Sequence, residues 1–549
     1  MVVLSGLLLG MLLGALDQTI VSTSIRTIAD DLQGYSMQAW VTTAYLITAT
    51  LSTPLYGKLS DMYGRKPFYL TAITLFVVGS LLCTFSQSMY QLAAFRAFQG
   101  LGAGGLMSLA LTILGDMVSP RERARYQGYF LAVFGTSSVV GPVLGGVLAG
   151  QDQIFGISGW RWVFLVNVPL GMIALAVVSK VLRLPKQDRP KQTVDWFGVL
   201  FMAVGLVPLL VVAEQGREWG WGSAASLSCY VVGVIGLLGF VAVEAKLGDA
   251  ALIPLRMFKN STFALGVVIS IVVGAAMFGG ITLLPQYLQV VRGASPTLAG
   301  MQMLPLVVGM MVASVIAGQL ISRTGRYRAF PVIGSALVVL GLFLLHFITP
   351  DTPLAVTMLY MLITGLGLGN LMQPLTLAIQ NALPPQDMGV STAAATFFRQ
   401  IGGTLGVAVF LSILFAQVTP NITGELQAAA TQPAFQQAVA QGTHSSNPVD
   451  AALANGLVAQ DHSAAEKVLA DSSVIQQLSP ELARPFKVGF ADAMGTVFLS
   501  ASLLAIIAFV LVLFWKEVPL RTAGGIQSQA AKSEAETEAE TWIGVETKA

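Results

Sequence analysis

Two charged residues stand where charge is expensive. Asp17 lies inside the apolar run Met1–Ser24, and Arg96 lies inside the apolar run 90–115. An ionisable group in a bilayer-length segment costs roughly 2.5–3.5 kcal/mol by insertion scales and is a functional candidate by default. Burial opposes the charged form of a carboxyl group. Asp17 is therefore a candidate to load a proton on one face of a membrane and release it on the other. Arg96 does not deprotonate in practice. Its use is to hold a carboxylate ionised, or to repel a proton, as helices move. The structural alternatives are helix-to-helix hydrogen bonding for Asp17 and carbonyl binding for Arg96. Arg399, which opens Arg399-Gln-Ile-Gly402-Gly403-Thr-Leu-Gly406, is a possible second-half site: a partner for a carboxylate, or a cap on a helix end.

A second charged group is the string Gly57-Lys-Leu-Ser-Asp61-Met-Tyr-Gly64-Arg65-Lys66 between two apolar runs. Gly57 and Gly64 permit a tight turn and close helix approach. Asp61 and Arg65 are placed to pair near a helix end, next to Asp116. Catalytic chemistry finds no support. Cys83 and Cys229 sit in apolar runs, and His346, His444 and His462 show no ligand spacing. There is no GxxxxGK[ST] phosphate loop, which argues against direct ATP drive. No metal, cofactor or nucleic-acid partner is expected, and the chain does not read as an enzyme.

The elements that must position these residues are membrane helices. Charged residues make up 11% of 549 and apolar residues 54%, against roughly 25% charged in soluble domains. Lipid is therefore the expected solvent. A spanning helix needs about 20 mostly apolar residues, and fourteen windows qualify: 2–24, 38–57, 67–86, 90–115, 127–149, 161–182, 196–213, 224–243, 262–288, 300–321, 329–349, 353–376, 391–416 and 490–514. An even count places both termini on one side. With that side cytoplasmic, 21 of 30 basic residues face inward, as the positive-inside rule requires. The first run has no basic n-region and carries Asp17, so it reads as a retained helix and not a cleaved signal.

The chain also repeats itself. Gly57-Lys-Leu59 runs to Gly64-Arg65 as Gly318-Gln-Leu320 runs to Gly325-Arg326, and Gly100-Leu-Gly-Ala-Gly-Gly-Leu-Met107 matches Gly365-Leu-Gly-Leu-Gly-Asn-Leu-Met372. The offsets are 261 and 265. The organisation that follows is an all-α membrane protein of two six-helix bundles, 1–182 and 261–416 with 489–515, plus two additional central helices in 183–260. Residues 417–488 form an outer loop with short helices expected at Glu425–Ala440 and Ala464–Gln477. Residues 516–549 form an acidic cytoplasmic tail of disordered composition. Duplicated halves place a substrate site at their interface near the bilayer midplane.

The string 57–66 resembles the signature loop of the major facilitator superfamily. Leu16-Asp17-Gln-Thr19-Ile20-Val21 is similar to the first-helix motif of its drug:proton antiporters, and Arg96-Ala-Phe-Gln99-Gly100-Leu-Gly102 to the fourth-helix motif. Gly135 through Gly141-Pro142-Val-Leu-Gly145-Gly146 is similar to the fifth-helix antiporter motif. With fourteen helices, the resemblance is to the EmrB/QacA-type drug:proton antiporters. It implies proton coupling at Asp17 and Arg96, and a conformational latch of Gly57, Asp61, Gly64, Arg65 and Asp116. It further implies a role in antiport for Gly141, Pro142, Gly145 and Gly146. The second copy of the loop departs from the pattern, with Ile321-Ser322 where Ser60-Asp61 stood, which argues against a symmetric pair of latches.

The implied function is export of lipophilic or cationic drugs by alternating access, driven by the proton gradient with no cofactor, in a bacterial plasma membrane. Asp17→Asn is expected to abolish coupling and leave the fold intact. Pro142, Pro285, Pro305 and Pro374 would allow helix bends. Met277, Phe278, Met301, Met303, Met310, Met311, Phe397 and Phe398 are candidates to line an adaptable apolar cavity. The alternatives are export of a native lipid, glycolipid or other metabolite, with an envelope partner at loop 417–488, or a non-transporting membrane sensor.

Overall fold

The structure is a computed structural model that describes residues 2–33, 37–182, 194–459 and 472–521. It is helical almost throughout. The first bundle comprises α1 (Val2–Asp31), α2 (Gln38–Tyr63), α3 (Arg65–Thr84), α4 (Met89–Met117), α5 (Pro120–Ala149), the short α6 (Trp162–Leu165) and α7 (Asn167–Val181). A two-residue hairpin, β1 (Gln153–Ile154) with β2 (Ile157–Ser158), joins α5 to α6. Two helices follow, α8 (Trp196–Trp219) and α9 (Ala224–Leu247). The second bundle holds α10 (Ser261–Gln286), the short α11 (Pro296–Gln302), α12 (Leu304–Thr324), α13 (Ala329–Leu345), α14 (Leu354–Ala382) and α15 (Met388–Ala430). Then come α16 (Pro433–Gly442), α17 (Pro448–Val458) and α18 (Pro480–Leu513).

Local chemistry sets many of the boundaries. The side chains of Ser88, Ser119, Asp195, Ser223, Asn260 and Ser295 accept backbone N–H groups in the first turns of α4, α5, α8, α9, α10 and α11, satisfying donors that have no intrahelical acceptor. Between α2 and α3 the chain turns on Gly64, whose φ of 101° is a conformation that suits glycine. Pro305 falls in the first turn of α12, where it costs no hydrogen bond. It starts that helix and does not bend it. Pro142, Pro285 and Pro374 are internal to α5, α10 and α14.

Among the described residues, twelve helices are long and apolar enough to cross a membrane. Of the fourteen windows read from the sequence, two fall outside that set: α2, rich in Thr and Ser, and α13, whose apolar stretch is 17 residues long. In the first bundle α2 packs on α4, α1 on α5 and α7, and α3 on α4 and α7. In the second, α10 packs on α15 and α18, α12 and α13 on α14, and α18 on α13 and α15. The halves meet along α5 with α12 and along α15 with α2 and α4, while α8 and α9 pair with each other and α8 touches α2 and α15.

The sequence repeat corresponds to repeated packing. A Cβ on Gly100 would run into the Tyr45 carbonyl of α2, and one on Gly365 into the Leu306 carbonyl of α12. Gly102 and Gly367 stand in the same way against α3 and α13, where an added Cβ would lie 2.5 Å from the Ala72 carbonyl and 2.6 Å from the Val338 nitrogen. These approaches exclude any larger residue.

The segment 417–488 differs from its sequence reading. The helix expected at 391–416 continues to Ala430, and the one expected from 490 begins at Pro480. Val418 and Ile422 are buried, as are Leu482 and Phe486, so the two helices carry their apolar stripes past the bilayer-length windows as a continuing pair. The single helix expected at 425–440 is broken at Thr431 and Gln432, because Pro433 opens a new helix. Phe435 of α16 and Leu453 of α17 are buried in the core of the second bundle. Part of 417–488 is thus a folded cap. The 464–477 expectation falls mostly outside the described residues, and 472–476 form a single 3₁₀ turn. The tail beyond 521 and the basic residues Arg183, Lys186, Arg189 and Lys191 also lie outside them.

Candidate functional site

Four helices of the first bundle converge on Asp17, which is 0% exposed. Arg96 Nη1 donates to Asp17 Oδ2 at 2.5 Å. Gln99 Nε2 and Asn167 Nδ2 donate to Oδ1 at 3.0 and 2.8 Å. Gln99 Nε2 also reaches Ser80 Oγ at 2.6 Å, and Arg96 Nη1 also donates to Gln99 Oε1 at 2.8 Å. The Arg96 guanidinium lies 4.0 Å from the centre of the Tyr45 ring, a cation–π contact in a dry setting. Arg96 Nε and Asn167 Oδ1 are buried without a hydrogen-bond partner.

The structure therefore brings together Asp17 and Arg96, which the sequence singled out separately. It adds Ser80, Gln99, Asn167 and Tyr45. Gln99 was legible as the residue one turn after Arg96. Asn167 and Ser80 gave no signal, because a neutral polar residue in a helix is unremarkable until its neighbour is known. The chemical consequence is specific. One carboxylate balances one guanidinium, so a proton on Asp17 would leave the Arg96 charge buried and uncompensated. Uncompensating a buried pair costs about 3–5 kcal/mol.

A second cluster forms at the end of the bundle that carries the α2–α3 turn. Arg65 is buried and pairs with Asp61, and its Nε donates to Asp116 Oδ2 at 2.7 Å while Nη1 donates to Ser60 Oγ at 2.8 Å. Asp61 then crosses to the other half: its Oδ1 and Oδ2 accept the N–H groups of Gly389 and Val390 at 3.1 and 2.8 Å. These are free donors of the first turn of α15, the positive end of its dipole. Gly57 lies against the same turn, where an added Cβ would stand 2.5 Å from Ala393 Cβ and 2.9 Å from the Gly389 carbonyl.

The return contact has the opposite polarity. Arg121 Nε donates to the Ser322 carbonyl at 2.6 Å and Nη2 to the Arg323 carbonyl, at the negative end of α12. Ser322 stands where the repeat would place a second Asp61, and Arg121 of the first half holds its carbonyl instead. The fully buried Arg123 bridges the Gly115 carbonyl of α4, at 2.6 Å, and Gln380 Oε1 of α14, at 2.5 Å. Neither arginine was singled out by the sequence, since both lie in a basic turn that reads as a membrane anchor.

The fifth-helix motif faces two ways. A Cβ on Gly141 would strike the Thr19 hydroxyl, and one on Gly145 would lie 2.8 Å from the Ile20 carbonyl, so both seat α5 on α1 beside Asp17. Thr19 Oγ1 donates to the Ser137 carbonyl at 2.9 Å across the same seam. Pro142 and Gly146 instead face Gly300 and Thr297 of the second half.

Arg399 lies three turns inside α15, so it caps no helix end, and no carboxylate of the described residues lies within ion-pair distance of it. The proposed apolar lining is dispersed. Met310 belongs to the core of the second bundle, Phe397 packs with Ile47 and Met202, and Met301 is 51% exposed.

Two bundles joined across a seam, a charged pair deep in one of them and charged contacts at one end define a multi-pass helical carrier. The sequence profile of the Major Facilitator Superfamily matches residues 7–407, and the chain belongs to that superfamily. The multidrug transporter protein MdtP of Bacillus subtilis is 33% identical over 94% of this chain and 93% of its own. Multidrug resistance protein 3 of the same organism is 36% identical over 74% of this chain and 78% of its own. An uncharacterized MFS-type transporter of Mycobacterium tuberculosis is 35% identical over 94% and 70%. Among solved structures, the human organic anion transporter MFSD10 superposes with a TM-score of 0.58 at 15% identity, covering 93% of this chain and 99% of that one. The proton:xylose symporter XylE superposes with a TM-score of 0.59 at 15% identity, covering 96% and 98%. The chain is an integral multi-pass membrane protein and a transporter of small molecules, not an enzyme.

Proposed function

We propose that the chain is a proton-coupled antiporter that exports lipophilic or cationic drug-like molecules by alternating access, with no cofactor beyond the proton gradient. The observation that carries this reading is the buried Asp17–Arg96 pair, whose balance of charge is broken by a single proton. Two relatives named for multidrug transport at 33% and 36% identity support the substrate class.

Fourteen spans remain the reading of the architecture. α2 has 26 residues, about 39 Å at 1.5 Å per residue, and packs on α4 in the first bundle. α13 is shorter but packs on α14 and α18. That count and the inward bias of Lys and Arg support a reading with both termini in the cytoplasm of a bacterial cell. The end that carries Asp61 and Arg121 is then the cytoplasmic one, and the conformer is closed on that side.

In this state Asp17 takes a proton from outside. The uncompensated Arg96 then favours rearrangement, the latch at Gly57, Asp61, Gly64, Arg65 and Asp116 opens, and the proton leaves inward as substrate binds. Thr19 and the glycines Gly141 and Gly145 transmit movement of α1 to α5, and Pro142 and Gly146 pass it to the second half. One charge moving through 100 mV supplies about 2.3 kcal/mol, nearly fiftyfold in gradient. The test is the purified chain in proteoliposomes, with ethidium as probe. An imposed pH gradient should drive ethidium movement opposite to protons, and ethidium movement indifferent to the gradient would overturn the reading.

A further inference from the structure

The inserted helices end in a segment, residues 248–260, that is seated on both sides of the seam. Its first part belongs with the inserted pair. Glu244, buried in the last turn of α9, accepts the N–H groups of Leu252 and Ile253 at 3.2 and 2.9 Å. Leu252 and Ile253 share a core with Ile47 of α2 and Met202 of α8. Lys58 of the signature loop donates to the Asp249 carbonyl at 2.7 Å. Its last part belongs with the second bundle. Met257 is in that bundle's core, and Asn260 caps α10 and donates to the Ala382 carbonyl at 2.9 Å. Pro254, between the two seats, has no N–H to tie it to either.

Arg256 spans this junction. Its Nε pairs with Asp249 on the first seat. Its two terminal nitrogens form a fork on Asp387, at 3.0 and 2.9 Å. Asp387 is the residue immediately before α15, whose first N–H groups are those held by Asp61. The turn at the start of α15 is thus gripped from two directions: by the first bundle through Asp61, and by the inserted pair through Arg256.

We propose that residues 248–260 are a strap that couples the inserted helices to the closing of this end, with Arg256 as its clasp. When the halves part here, α15 carries Asp387 away from the seat that holds Asp249. The strap pivots at Pro254, and Arg256 keeps one carboxylate and loses the other. The clasp therefore stabilises only the conformer closed at this end. It is 44% exposed, so salt screens it. The proposal rests on the alternating-access reading given above.

The test measures opening without transport. Spin labels at Tyr63 and Arg326, both exposed near this end on opposite halves, are placed in the full chain with Cys83 and Cys229 replaced by alanine. Electron–electron distance distributions are then recorded in nanodiscs. At low ionic strength Arg256→Gln should raise the long-distance population roughly two- to fivefold, the size expected for the one partly exposed ion pair that opening breaks. Asp387→Asn should do the same, and the double variant should add little. High salt should produce the shift in the parent chain and not in Arg256→Gln. Unchanged distances in Arg256→Gln at low salt, or a shift that salt does not reproduce in the parent chain, would overturn the clasp. A clear shift in a chain that moves no ethidium would leave the clasp standing and remove the export reading.

Discussion

Replacing Asp17 by Asn tests the coupling pair most directly. The carboxylate accepts three donors, from Arg96, Gln99 and Asn167, and carries the charge that balances Arg96. Asparagine removes the charge and turns one acceptor into a donor, which faces donors already there. Breaking a buried pair on one side costs about 3–5 kcal/mol, a large share of the roughly 5–15 kcal/mol of a typical domain. The expectation of an intact fold, formed from the sequence, is therefore revised: Asp17→Asn should unfold at lower temperature or denaturant in detergent. Adding Arg96→Gln removes the second charge and should recover most of the loss. The two changes should be non-additive by up to about 3 kcal/mol. Neither variant should couple ethidium transport to an imposed pH gradient, although the double variant should be the better folded. Gradient-driven transport at the parent rate in Asp17→Asn would refute the assignment of the proton to this residue, and additive stabilities would refute the pair as a unit.

Three more outcomes follow from particular contacts. Gly57→Ala introduces a Cβ that meets Ala393 and Gly389 only while this end is closed. An overpacking cost of about 1–3 kcal/mol should shift the conformers some 5- to 150-fold toward opening here, seen as faster maleimide labelling of Thr396→Cys. Deleting 433–458 removes Phe435 and Leu453 from the core of the second bundle; it should lower thermal stability by several degrees in detergent, where a dispensable surface loop would not. The Arg484 guanidinium holds the Asp351 carboxyl below its ordinary range. A lowered folded value means that the contribution is present above about pH 4 and is lost as pH falls through the folded value. Protease cleavage near 349–352 should rise on acidification below that range, and Asp351→Asn should abolish the pH dependence.

What the sequence showed and what it hid have separate physical causes. Asp17 and Arg96 were legible because a charge in a bilayer-length apolar run is anomalous wherever it points. Asp61, Arg65 and Asp116 were legible from an ordered string of charges and glycines. Their partner across the seam was not, because the N–H groups of Gly389 and Val390 are backbone and leave no mark in residue type. Ser322, at the position that answers to Asp61, marked the second copy as different, yet only the structure shows Arg121 on the carbonyls of that turn. The extension of α15 past 416 was hidden for a different reason. Ala, Gln, Glu and Leu are strong helix formers, but low hydropathy in a membrane protein reads as loop.

The two charged sites differ in what water can do for them, and this sets their division of labour. Asp61 and Arg121 hold helix ends: a carboxylate on the N–H groups of α15, a guanidinium on the carbonyls of α12. Once the halves part, water replaces each contact, so each is worth about 1.5–3 kcal/mol at most. Asp17 and Arg96 have no such substitute, and a proton on Asp17 is worth about 3–5 kcal/mol of imbalance. That is comparable to two of the end contacts and smaller than the whole set, which includes Arg123 and Arg256. Protonation alone should therefore tilt the equilibrium without completing the transition. The remainder has to come from differential binding, since a ligand shifts two states only by its difference in affinity for them. On this accounting the parent chain should open at the latch end only partly on acidification without substrate, and a fully open population under those conditions would mean that the end contacts are weaker than their geometry implies.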